Sequence, residues 1–239
     1  MAEPFKKWTV LPHGKLAVLD DKLLTVAGDL PMPFGKFPRR MTVVRLEDGR
    51  LVVYSAMALD EPEMQALEKF GTPSSLIIPS ELHRMDAKIW KERYPALRVI
   101  APKGARERAE QIVAVDATDP DFHDRTVQYV TIPGTDEREA ALLVETATGT
   151  TLVVSDVIWN VHHLPGLSGW IFRVLRLTGP KPRIANVVRM KIKDKRAFRD
   201  QLEAWARLKN LNRIVVSHGD IVERDPPGVL RELAHTLAA

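Results

Sequence analysis

The chain has 239 residues, a formal net charge of +4 from 35 Lys plus Arg against 31 Asp plus Glu, and no cysteine. Its 45% hydrophobic and 28% charged content is that of a globular protein, and a layered α/β chain of this length commonly forms one domain. The absence of cysteine excludes a disulfide scaffold, thiolate-held zinc, iron–sulfur clusters and thiol catalysis, so any metal must be held by Asp, Glu or the seven histidines His13, His83, His123, His162, His163, His218 and His235.

In chain order, Leu16–Leu19, Leu23–Ala27 and Met41–Leu46 read as strands, and Gly28–Arg40, with its prolines and glycines, reads as a long loop. The Asp-Gly of Glu47–Arg50 predicts a hairpin turn into a return strand, Leu51–Ser55. Asp60 is an N-cap followed by Pro62 and by Glu63 at the capping-box position, and Gly71 stops that helix. The short apolar strand Leu76–Ile78 runs into Ser80, read as the N-cap of a helix from Glu81 to about Arg93. Arg98–Ala101 is the next strand. Strands at Val127–Ile132, Ala140–Glu145 and Thr151–Ser155 follow, with a turn at Thr148-Gly149. Asp194 caps a helix carrying Phe198, Leu202, Trp205 and Leu208 at helical spacing. Arg213–Ser217 is the last strand, and a helix runs from Gly228 to the C-terminus after Pro226-Pro227. Strands alternating with helices predict an α/β layered fold.

Charge is unevenly distributed. Between Arg173 and Arg213 there are 13 Lys or Arg and 3 Asp or Glu, which leaves the rest of the chain net negative. Such a region is either a solvated helix face or a surface for an anionic partner. Few aromatics interleave with it, so no specific nucleic-acid partner is expected. The segment Leu164–Pro182 sets Trp170, Ile171, Phe172, Val174, Leu175 and Leu177 among Gly166, Gly169 and Gly179, with Arg173 and Arg176 between them. It reads as a short amphipathic insert at about 161–183. It is expected to pack on its own domain or to serve as a lid, an interface or a weak membrane contact. Met1–Pro12 has no apolar core of signal-peptide length, so a cytoplasmic location is expected.

Three apolar runs end directly on polar residues of metal-binding type: Ile77-Ile78-Pro79-Ser80-Glu81-Leu82-His83-Arg84-Met85-Asp86, Leu152-Val153-Val154-Ser155-Asp156, and Ile214-Val215-Val216-Ser217-His218-Gly219-Asp220. In α/β folds ligands gather at the carboxyl ends of strands. No Gly-x-Ser-x-Gly nucleophile motif and no phosphate-cradling glycine loop is present.

The order of elements and these three strand ends resemble the metallo-β-lactamase-fold superfamily, over about Met41 to Asp220. Within it the chain resembles a divergent, poorly characterised branch, marked by His83 with Tyr94-Pro95-Ala96 and by Asp156 with Asn160. The resemblance implies a single domain, residues 1–239, folded as a four-layer αββα sandwich with a metal site on one edge. The superfamily motif His-x-His-x-Asp-His corresponds to Glu81 through Asp86: His83 is kept, Glu81 replaces the first His, Met85 the Asp and Asp86 the last His. Thr135 follows Pro133-Gly134 where a ligand His is usual, Asp156 and His218 are kept, and Ser55 lies near the place of the bracing Asp.

This implies a metal set drawn from His83, Asp156, His218, Glu81 and Asp86, with Asp86 and Asp156 as the catalytic carboxylates. The ion would be one divalent metal, zinc, iron or manganese; the alternative is a degenerate site that holds none, in which His83, Asp156 and His218 satisfy one another by hydrogen bonds. The expected activity is hydrolysis of an ester, thioester, lactone or phosphodiester by a metal-activated water. The alternative function is a non-catalytic protein that binds a partner or anionic ligand through the basic region. His162 or His163 stands as an outside ligand.

Overall fold

The computed structural model describes residues 3–32, 35–163, 166–174 and 177–237, and of residues 167, 168 and 187 the backbone. Two sheets face each other. The first has the order β1-β2-β3-β4-β5-β6, formed by Ala17–Asp20, Leu23–Met32, Gly35–Arg45, Arg50–Tyr54, Thr72–Ile77 and Arg98–Ile100. Its first four strands are antiparallel, and β4, β5 and β6 run parallel. The second has the order β10-β9-β8-β7, formed by Leu211–Val216, Gly149–Val154, Ala140–Thr146 and Val127–Thr131. Here β9 and β10 are parallel and the other pairs antiparallel.

Strand periodicity separates three hydrophobic layers, because successive side chains leave opposite faces. In β4, Val52 and Tyr54 enter the core between the sheets, where they meet Leu142, Val144, Val153 and Val215. Leu51 and Val53 enter the outer core. That outer core is closed by α1 (Glu61–Phe70), α2 (Ala87–Arg93) and α3 (Lys103–Glu110) through Met64, Leu67, Ile89, Trp90 and Ala109. On the other side Leu152, Val154, Ile214 and Val216 face α6 (Lys195–Ala206) and α7 (Pro226–His235), which supply Phe198, Leu202, Trp205, Leu230 and Leu233. The layers are therefore helix, sheet, sheet, helix, as expected. Two short helices, α4 (Gly166–Val174) and α5 (Asn186–Arg189), precede α6. No helix among the described residues is long and apolar enough to cross a membrane.

Several expectations are corrected. Residues 28–32 and 35–40 form a β-ribbon where a loop is expected. β2 and β3 pair without a break from Leu23↔Val44 to Met32↔Gly35. Pro31 and Pro38 are accommodated because the distal ribbon is paired on one side only, and an edge strand tolerates a residue without an N–H. The helix expected from Glu81 begins at Ala87. Ser80 does not cap it: its Oγ donates to Asp156 and accepts from the Leu82 N–H. Asp60 caps α1 by accepting from the Glu63 N–H, but the Glu63 carboxylate reaches the Leu16 N–H instead of closing a capping box. In the insert, Phe172 is buried against Phe37 while Trp170 and Val174 are exposed; Leu164, Leu175 and Arg176 lie outside the described residues. Among the described residues, five cations of the basic region form ion pairs: Lys181 with Glu232, Lys191 with Glu81, Arg196 and Arg199 with Asp200, and Arg213 with Asp20 and Glu223.

Candidate metal centre

The carboxyl ends of β4, β5, β9 and β10 lie on one edge of the sandwich, and each delivers one polar residue: Ser55, His83, Asp156 and His218. The last three are brought together. His83 Nε2 lies 3.2 Å and His218 Nε2 3.1 Å from the same atom, Asp156 Oδ1. The three donor atoms fall within 4.8 Å of one another, and among the described residues this is the one group of three metal-binding side chains so placed.

Each member is fixed from behind. Ser80 Oγ donates to Asp156 Oδ2 at 2.8 Å. Ser55 Oγ is 2.6 Å from His83 Nδ1 and holds that ring from behind. Ser55 itself sits at φ 57, a conformation uncommon outside glycine and found where a site demands it. His218 Nδ1 donates to the Pro38 carbonyl at 2.9 Å, and its ring packs 5.0 Å from the rings of Phe37, Trp159 and His83. The loops carrying Asp156 and His218 are stitched together: Asn160 N donates to His218 O, Asp220 N to Asn160 O, and Asn160 Nδ2 to Asp220 O. Gly219 makes this stitch feasible. Its φ is +97, and a Cβ there would fall 2.0 Å from the Asn160 carbonyl oxygen.

The hydrogen-bond pattern tests whether a cation fits. A carbonyl only accepts, so the contact with Pro38 places the His218 proton on Nδ1. In neutral imidazole the Nε2 lone pair then faces a carboxylate oxygen, acceptor against acceptor. The contact becomes favourable with a cation shared by both atoms, or with a second proton on the ring. Two imidazoles and a carboxylate match the donor set of a catalytic zinc site with three protein ligands and an open position. Their 3.1 and 3.2 Å separations are near the ~3.3 Å between ligands that tetrahedral zinc imposes at bond lengths of about 2.0–2.1 Å. Burial acts to raise the pKa of Asp156, but its contacts with His83 and His218 outweigh burial and hold the carboxyl well below its usual range. The group is thus ionised and ready to ligate.

The other expected residues go elsewhere. The Glu81 carboxylate is drawn outward by Lys191 at 2.8 Å and Arg138 at 3.5 Å, and Lys191 holds its pKa below the usual value. Asp86 is buried under the ribbon, where Oδ2 accepts from Arg39 Nη1 at 2.7 Å and Oδ1 from the Ala58 N–H at 2.9 Å. Neither joins the cluster. Thr135 Oγ1 donates to the Ile132 carbonyl. His162 and His163 are exposed, next to Asp220 and Thr178. His123 is exposed beside Asp121, and His13 accepts from the Asp60 N–H.

Two cavities flank Asp156 and share Leu82 and Trp159 as walls. One, about 200 Å³, lies over the cluster and beneath the ribbon, with Phe37, Arg39 and Met85 in its lining. The other, about 120 Å³, is lined by Glu81, Thr135, Glu139, Val188, Lys191 and Ile192. Sequence reading missed Phe37, Arg39, Trp159 and Glu139. Phe37, Arg39 and Met41 are buried at alternating positions of β3, a period-2 signal present in the sequence but obscured by the neighbouring Pro and Lys. Glu139 carried no signal at all. Its Oε2 is buried without a partner, and burial first, then the charge of Asp156, pushes its pKa well above the ordinary carboxyl value.

No protein-family model matches the chain, and no curated protein matches it in sequence. Solved structures do match in shape. The metallo-β-lactamase FIM-1 from Pseudomonas aeruginosa, determined in a mono-zinc form, superposes with a TM-score of 0.64 at 12% identity, covering 95% of this chain and 96% of that one. VMB-1 gives 0.64 at 12% identity over 97% and 100%, and a metallo-β-lactamase from Hirschia baltica gives 0.62 at 9% over 93% and 98%. Taken with the paired sheets and the site on their common edge, these superpositions show that the chain has the metallo-β-lactamase fold.

Proposed function

We propose that the protein is a metal-dependent hydrolase with a single divalent ion held by His83, Asp156 and His218. The observation that carries this reading is the convergence of two imidazole nitrogens on one carboxylate oxygen while the His218 proton is committed to Pro38. Zinc suits two nitrogens and one oxygen; iron and manganese are the other ions this donor set admits. When bound, such an ion supplies Lewis acidity, lowering the pKa of water and polarising an acyl or phosphoryl oxygen. The chain's own residues do the rest. Ser55, Ser80 and Pro38 orient the three donors, as the groups behind a metal ligand do. Phe37, Trp159 and Leu82 wall the cleft with apolar surface, and the ribbon shields it from bulk water. Esters, thioesters, lactones and phosphodiesters are the substrate classes this chemistry serves. Burial and convergence of the cluster favour this reading over an anion-binding protein without catalysis.

The experiment is reconstitution. Protein stripped with chelator, reloaded with zinc and passed through a desalting column should retain about one equivalent, and His83→Ala and His218→Ala should each lose it. The reloaded protein should hydrolyse p-nitrophenyl acetate faster than the stripped protein. Retention below about a tenth of an equivalent by the unaltered chain contradicts the proposal.

A further inference from the structure

The smaller of the two cavities beside Asp156, about 120 Å³, is not used by the hydrolytic reading. Its apolar lining is Leu82 and Trp159, which it shares with the cavity over the cluster, and Val188 and Ile192, which it does not. Val188 and Ile192 are each 7% exposed, whereas Met190 between them is 78% exposed. The turn in which the Lys191 N–H donates to the Val188 carbonyl returns the chain, so that Val188 and Ile192 line one cavity while Met190 points away from the core. The polar members of the lining have partners of their own. Thr135 donates to the Ile132 carbonyl, and the exposed cations Arg138 and Lys191 both pair with Glu81. Burial favours the neutral, protonated form of Glu139. What the cavity offers a ligand is therefore mainly apolar contact.

We propose that this cavity binds a short unbranched aliphatic chain, with Val188 and Ile192 as the residues that set its length. An apolar cavity of about 150 Å³ holds benzene, so in proportion about 120 Å³ is room for roughly four or five carbons. The occupant follows from continuity with the site. Asp156, Leu82 and Trp159 line both cavities, so a chain seated between Val188 and Ile192 starts beside the cluster, and the larger cavity beneath the ribbon remains for the rest of the molecule. A charged chain end is disfavoured, because Glu81 already engages both cations of the lining. On the hydrolytic reading, on which the identity of the occupant rests, the chain is the acyl chain of the substrate. The substrate is then a short-chain aliphatic ester, thioester or lactone. Binding of the chain itself needs no metal.

The test separates chain binding from hydrolysis. Protein with carbon-13-labelled valine and isoleucine methyl groups is stripped of metal and titrated with the linear alcohols from ethanol to heptanol. The signals of Val188 and Ile192 are assigned by their loss in Val188→Phe and Ile192→Ala, and each variant keeps the other reporter. Affinity should rise roughly fourfold per added CH₂ as far as about pentanol and then stop rising. Val188→Phe, which fills the cavity, should stop the rise at a shorter alcohol, and Ile192→Ala, which enlarges it, at a longer one. Shifts in opposite directions cannot both come from damage to the fold; where either change unfolds the chain, Val188→Leu and Ile192→Val are read in its place. The zinc-loaded protein is assayed in parallel on p-nitrophenyl esters from acetate to heptanoate, and kcat/KM should follow the same cut-offs. An alcohol cut-off that moves with Val188 and Ile192 supports the cavity assignment even where no ester is cleaved, in which case the hydrolytic reading alone fails. Affinity that climbs to heptanol whichever side chain is changed, or alcohols that leave both methyl signals unmoved, overturns the assignment and leaves the metal reading intact.

Discussion

Asp156→Asn isolates the charge at the centre of the site. The substitution keeps the side-chain shape and an oxygen for Ser80, and it removes the negative charge on which His83 and His218 converge. At a free zinc concentration a hundredfold above Kd, a site that binds only the folded state adds about 2.7 kcal/mol of stability. For a chain of this length each kcal/mol moves Tm by roughly 2–4 °C, so the unaltered protein should gain about 5–11 °C. Ligands behind the metal are already worth about 10–100-fold in affinity, and the loss of a directly bound charged ligand should reach or exceed the upper end. A hundredfold loss leaves the variant only about 0.4 kcal/mol of zinc stabilisation at the same concentration, or about 1 °C. Differential scanning calorimetry with and without zinc reads both shifts, each form serving as its own metal-free baseline. Equal shifts in the two proteins would refute the assignment of Asp156 as a ligand.

Three further outcomes are expected. Asp86→Ala strands a buried Arg39 and the Ala58 N–H, so the urea midpoint should fall by about 3–5 kcal/mol of stability. Glu81→Gln, which disrupts only partly exposed ion pairs, should change it by less than about 1 kcal/mol; in both variants the zinc-induced Tm shift should persist, and its loss would return either residue to the ligand set. Glu139 has a raised folded pKa, so above the unfolded value of about 4.3 the unfolded chain releases a proton that the folded chain keeps, and stability falls as pH rises. Glu139→Gln should therefore gain on the unaltered protein as pH rises above about 4 in metal-free urea titrations, and a difference that stays constant with pH would contradict the sign. Gly219→Ala places a methyl against the Asn160 carbonyl at a φ reserved for glycine and should lower stability by about 1–3 kcal/mol; an unchanged midpoint would show that the two site loops are not stitched as described.

The layered fold was legible because its central strands are short apolar runs bounded by strong punctuation. Leu76–Ile78 and Thr151–Ser155 have no competing helical period, and Asp60 and Asp194 do cap helices. His83, Asp156 and His218 were legible for the same reason: each follows a buried strand by a few residues, and the strands are brought to one edge by parallel pairing of β4 with β5 and of β9 with β10. The ribbon was not legible. Proline and glycine between Gly28 and Arg40 argue locally for a loop, and only the pairing of β2 with β3 into a hairpin ribbon makes them acceptable. That error hid Phe37 and Arg39, which arrive on the site from about 180 residues away from His218 in the chain. Glu81 and Asp86 enter the ligand set only through the resemblance, standing where the superfamily motif has histidines. The structure gives both of them cationic partners, Lys191 and Arg39, that only tertiary packing could reveal.

The most direct measurement is anomalous diffraction at the zinc edge from crystals of the full chain grown with zinc. The account predicts a strong peak bonded to His83 Nε2, Asp156 Oδ1 and His218 Nε2. Absence of density there, in crystals that hold zinc on other side chains, would contradict it.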